Sequence, residues 1–166
     1  MVSHDPNETL QFGLFSDGAN GGRSETVNTD ATLTTAWTHV VITFGTDGVG
    51  KIYLNGSADK SFDLTEDDAS HVDSGGLRLG SDGGQSDFNG KIDDVAFWDS
   101  ELTDAEVTAL YNSGIGINAS SDSGNYASSS DLQAYWKMTE QTGSSVEDLS
   151  TNSNNGSISG ASWSTE

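Results

Sequence analysis

Apolar and polar residues alternate through most of the chain. In Thr9-Leu-Gln-Phe-Gly-Leu-Phe15, Leu10, Phe12 and Leu14 fall on one face, the period-two pattern of a strand buried on one side. A turn from Ser16 to Arg23, with Asp17-Gly18 and Gly21-Gly22, leads to a second strand over Thr26 to Thr34. The strongest strand is Trp37-Thr-His-Val-Val-Ile-Thr-Phe44, with Val40, Ile42 and Phe44 on one face and Trp37, His39 and Val41 on the other. Gly45 to Gly50 closes a hairpin onto Lys51-Ile-Tyr-Leu54, and Asn55-Gly56 signals the next hairpin turn. Short strands over Ser61 to Leu64 and Leu77 to Leu79 flank an acidic, solvated loop, Glu66-Asp67-Asp68. A long strand is expected from Phe88 to Trp98, carrying Ile92, Val95, Phe97 and Trp98.

The period then changes. Leu102, Val107, Leu110 and Tyr111 lie near helical spacing in Ser100 to Tyr111. Thr103-Asp-Ala-Glu106 is a capping box, in which Thr103 and Glu106 satisfy free amides at the helix start, and Gly114 is a natural stop. Residues 117–131 are rich in Ser, Gly, Asn and Asp and read as a linker. Leu132 to Met138 is a strand, Asp148 to Gly156 a polar turn, and Ser157 to Trp163 a last short strand.

Composition fits this pattern. The chain has 166 residues, enough for one core, with 20 glycines and one proline, as short strands joined by many turns require. The expected class is all-β, an antiparallel two-sheet jelly-roll sandwich with one short helix. With 26 acidic and 6 basic side chains the formal charge is −20, which repels nucleic acid and anionic membranes and leaves cations, neutral glycans or protein surfaces as partners. There is no cysteine, so no disulfide contributes, and no apolar run reaches the length of a membrane span. The start, Met1-Val-Ser-His, carries no signal-like segment.

The candidate chemistry is sparse. Asp148, Ser150, Asn152 and Asn154 alternate as oxygen donors in one turn, the ligand type that calcium takes. An EF-hand is excluded, because its twelfth position is Ser159 and no helices flank it. Asp93 precedes Val95 and Phe97 by two and four residues, so alternation places it on their buried face, where a carboxylate needs a cation or strong donors. Trp37, Trp98, Trp136, Trp163 and Tyr53 could serve as glycan platforms; most belong to the core, and Trp98 and Tyr53 are the candidate ligand contacts. Adjacent Asp93 and Asp94 point to opposite faces and cannot flank one glycosidic bond, so no enzymatic activity is expected.

The blocks Trp37 to Phe44, Lys51-Ile-Tyr-Leu-Asn-Gly56, Leu77-Arg-Leu-Gly80, Phe88-Asn-Gly-Lys-Ile-Asp-Asp-Val-Ala-Phe-Trp98 and Leu102 to Tyr111 together resemble laminin-G-like members of the concanavalin A-like lectin and glucanase superfamily. The resemblance covers about residues 9–114 and again 132–163, and the second stretch resembles the opening strands and first turn of that fold. It implies a body over 1–116, a linker over 117–131, and a displaced first-strand segment over 132–166 that completes this sandwich or a neighbour's. It also implies calcium held by Asp93, Asp148 and Asn152, with Asp94 the weaker candidate. The function it implies is a non-catalytic, lectin-like module for surface binding or adhesion, stabilised by calcium. The alternative, suggested by the displaced opening segment and the strands missing before Leu10, is a virion decoration, capsid or fibre subunit that self-assembles by strand or edge pairing; acidic, Asn- and Ser-rich chains of this type look similar to modules in marine phage structural proteins. Either role places the chain outside the cell or on a virion surface.

Overall fold

The computed structural model describes residues 2–4, 9–15, 24–63, 77–81 and 87–164. The expected turn at 16–23 and the acidic loop Glu66-Asp67-Asp68 lie outside them. The chain is an all-β antiparallel sandwich with one helix. Strands β1 (Val2–His4), β2 (Thr9–Phe15) and β3 (Ser24–Thr32) form one sheet in that order. A second sheet orders β4 (Val40–Phe44), β5 (Val49–Leu54) and β6 (Ser57–Asp63), with Ile42 opposite Ile52 and Val41 opposite Tyr53. The helix α1 (Asp104–Tyr111) follows β7 (Val95–Trp98). Strand β8 (Leu132–Trp136) returns to pair with β7, placing Trp136 opposite Val95. A bridge from Trp136 to Asp148 continues the ladder, and β9 (Ser145–Val146) pairs with β10 (Gly156–Ser157).

Alternation along β4 and β5 gives the second sheet two working faces. Val41 and Tyr53 meet Val107 and Leu110 of α1 together with Leu132 and Tyr135 of β8. Ile52 and Phe62 pack on the other side with Phe12, Val27 and Ile42. Complete burial of Val107 anchors the helix, a contribution of about 1.5–3 kcal/mol for a side chain of this kind. The Thr103–Glu106 capping box forms as the sequence predicts. At the other end the helix stops at Asn112, whose left-handed φ of 45° caps it two residues before Gly114.

Several expectations change, among them the strands expected at Leu77 to Leu79, where none forms, and from Trp37, where β4 starts only at Val40. The strand expected from Phe88 begins only at Val95, because Asp94 has φ 51°, which extended backbone cannot accommodate. Alternation is broken there, so Asp93 is exposed rather than turned into the core, and its Oδ1 accepts from the Asp94 amide at 3.1 Å. The stretch 117–131 is no free linker. Tyr126 is fully buried and Ala119 nearly so, and the Tyr126 hydroxyl donates to the Ala119 carbonyl at 2.7 Å. The last strand shrinks to Gly156–Ser157.

Candidate functional site

Asp148 is 5% exposed, and the turn around it is built on its carboxylate. Oδ1 accepts from the amides of Tyr135 (2.8 Å) and Ser150 (2.9 Å). Oδ2 accepts from the Asn154 amide (2.7 Å) and the Ser150 hydroxyl (2.8 Å). A carboxylate has about four lone-pair directions, and four donors occupy them. Desolvation pushes the pKa of this carboxyl up, but the three amides and the hydroxyl outweigh it and hold it below the ordinary carboxylate value. Asn152 and Asn154 turn their side-chain amides onto the Gln133 carbonyl, each at 3.0 Å. Asp94 accepts from the Tyr135 hydroxyl at 2.6 Å, and burial followed by this bond pushes the phenol up. Among the described residues no three Asp, Glu or His side chains converge as a metal cluster. The donor set at this turn does not fit a calcium bound through Asp148, because such an ion would have to displace Ser150 and Asn154 from the carboxylate.

Glu106 repeats the design at the start of α1. It is 8% exposed. Oε2 accepts from the Thr103 amide and hydroxyl, at 3.0 and 2.9 Å, and Oε1 from the Ala127 amide and the Ser128 hydroxyl. Desolvation opposes its charge and these donors prevail, so its carboxyl also lies below its ordinary value. The helix cap thereby holds the 117–131 stretch against the body.

Of the two aromatic contacts expected from the sequence, one is buried and the other half-buried. Tyr53 is 2% exposed, and its hydroxyl donates to Asp104 at 2.6 Å, where Lys51 also binds at 2.8 Å. It offers no ring face to a ligand, because its strand face is the one that α1 covers. Trp98 is half-buried, with its ring edge-on to Tyr126 and Nε1 donating to the Tyr126 hydroxyl at 2.9 Å.

An open feature lies elsewhere. A groove of about 330 Å³ runs between the segment after β3 and the β5–β6 hairpin. Thr34 and Thr38 line one side, Asn55, Ser57 and Asp59 the other, with Leu33 and Leu54 adding apolar surface. Asp59 holds the walls together: its two oxygens accept from the amides of Asp30 (2.7 Å) and Ala31 (3.1 Å). Thr34 accepts from the Ala36 amide and Thr38 donates to the Ala36 carbonyl, which fixes the intervening loop. That loop displays Trp37, 57% exposed. The sequence reading placed Trp37 in a strand among core aromatics; its polar neighbours Thr34-Thr35 and Thr38 were the signal that it stands outside. Behind the groove, His39 packs against Tyr111 with ring centroids 5.7 Å apart. Its Nδ1 has no partner, and burial holds its pKa below the ordinary value against the opposing pull of Asp94.

A family model described as the concanavalin A-like lectin/glucanases superfamily matches residues 2–108. The solved structure of a candidate carbohydrate-binding protein from Bacteroides ovatus ATCC 8483 is similar in fold, with a TM-score of 0.59 at 24% identity. The match covers 92% of this chain and 40% of that one, so this chain spans about two-fifths of its length. Residues 221–444 of an S-layer domain-containing protein from Clostridium thermocellum ATCC 27405 match at 22% identity and a TM-score of 0.35, over 62% of this chain and 51% of that one. No curated protein matches the chain.

Proposed function

Because the chain belongs to the concanavalin A-like lectin/glucanases superfamily, we propose that it is a non-catalytic, lectin-like module that binds a neutral carbohydrate at the Trp37 groove and acts at a surface outside the cell or on a virion. The observation that carries this reading is Trp37, exposed on a loop that also walls a hydroxyl-lined groove. Sugars are held by one flat apolar ring face together with short polar side chains, and both are present. The volume suits one or two sugar rings, at the lower end of small-ligand sites. The −20 charge disfavours acidic glycans, nucleic acid and anionic membranes, and leaves neutral sugars unopposed. The Bacteroides relative supports the fold and, through what it is held to bind, the direction of the search. Calcium has no part in this reading, since the carboxylate expected to hold it is filled by protein donors.

The test is an array of neutral and acidic glycans probed with the whole chain, with and without chelator. Binding of neutral glycans that survives chelation supports the proposal. Binding confined to acidic glycans, or abolished by chelator, contradicts it.

A further inference from the structure

Asn-Gly steps occur at Asn20, Asn55, Asn89 and Asn155, the first outside the described residues. At such a step the backbone amide nitrogen is open to the asparagine side chain, because glycine has no Cβ to shield it. The structure treats the three described steps differently. Asn55 and Gly56 form a hairpin turn with φ 51° and 76°. There Asn55 Oδ1 accepts from the His39 amide at 3.0 Å, and its own amide donates to the His39 carbonyl at 2.9 Å. Asn155 Oδ1 accepts from the Asp148 amide at 2.9 Å, inside the filled turn. Asn89 is exposed, lies outside any helix or strand, and its side chain has no hydrogen bond among the described residues. A Cβ at position 90 would lie 2.6 Å from the Phe88 ring, so the backbone nitrogen here is left bare by glycine.

We infer that Asn89 is a site of spontaneous modification, where the folded chain deamidates through a cyclic imide. The Gly90 nitrogen attacks Cγ of Asn89 and a new C–N bond forms. The Cγ–Nδ2 bond breaks, and the amide leaves as ammonia with the proton lost by the Gly90 nitrogen. One water then opens the imide, at Cγ to give aspartate or at the backbone carbonyl to give isoaspartate. One water is consumed, one ammonia is released, and no oxidant or reductant is needed. At Asn55 and Asn155 the bonds to His39 and Asp148 must break before Cγ can reach the next nitrogen, so both lag behind.

The test incubates the whole chain at mildly alkaline pH and locates products by peptide mapping with tandem mass spectrometry, folded and in urea. Products should accumulate at position 89 about fivefold faster than at 55 or 155, the factor one side-chain hydrogen bond confers. In urea the three rates should converge, and Asn89→Gln should remove the fastest of the products mapped at these three positions. Equal rates at the three positions in the folded chain would overturn the inference. So would a gap that persists in urea, which would trace to local sequence, or a position 89 that stays intact while the unfolded chain reacts there.

Discussion

The turn at Asp148 and the groove at Trp37 use polar groups in opposite ways. At the turn, and again at Glu106, a buried carboxylate gathers four protein donors and keeps nothing for a ligand. At the groove, the carboxylate of Asp59 is likewise committed to backbone amides, while the Ser57 hydroxyl stays open to solvent and Trp37 is exposed on the adjoining loop. Charge builds the scaffold, and neutral groups are left for recognition. This is why a strongly acidic chain need not be a cation binder.

The comparison breaks most readily at Asp148. Asp148→Ala strands one buried and two part-buried amides and should cost about 3 kcal/mol, or about 6–12 °C in melting temperature for a chain of this size. Thermal melts followed by circular dichroism measure it. A variant that melts with the parent would show that the turn is not the anchor described.

Acid should act next, in two stages. His39 has a lowered folded pKa, so the unfolded chain binds its proton more readily, and stability should begin to fall as pH drops below about 6.5. Asp148 and Glu106 also have lowered folded values. Their contribution is present above the unfolded value of about 4 and is lost as pH falls through the lower folded values. Melting temperature measured from pH 8 down to pH 3 should therefore show a shallow decline and then a steeper one. A protein more stable at pH 5 than at pH 7 would contradict the His39 assignment, and one as stable at pH 3 as at pH 5 would contradict the carboxylate assignment.

Trp37→Ala should alter stability by no more than about 0.5 kcal/mol, as exposed positions do, while lowering glycan affinity at least about tenfold. The smallest effect is expected from chelation. EDTA should leave the melting temperature unchanged, because Asp148 is satisfied by protein donors, and a clear drop would reinstate the expected calcium.

Much of the scaffold could be read from local pattern. Strand β2 is found with its expected bounds, and the Thr103–Glu106 box forms as a box, because period and capping are local properties. The strand read over Leu132 to Met138 is found over Leu132–Trp136, paired with β7. The failures are non-local. Nothing in Ser- and Asn-rich residues 117–131 announces that Glu106 will capture Ala127 and Ser128. The φ of Asp94 reverses the face on which Asp93 was expected, and one such residue undoes any argument from alternation. Tyr53 and Trp37 exchanged places for a related reason. Tyr53 packs against Val107 and Leu110 of α1, which strand alternation does not announce, whereas Trp37 stands on the loop before β4.

The most direct measurement is calorimetric titration of the parent chain and of Trp37→Ala with the strongest neutral glycan from the array, with the melting temperature of each recorded. The account predicts saturable binding by the parent, at least about tenfold weaker binding by the variant, and equal melting temperatures. Equal affinity in the two proteins would remove the groove from the account, whatever sugar binds.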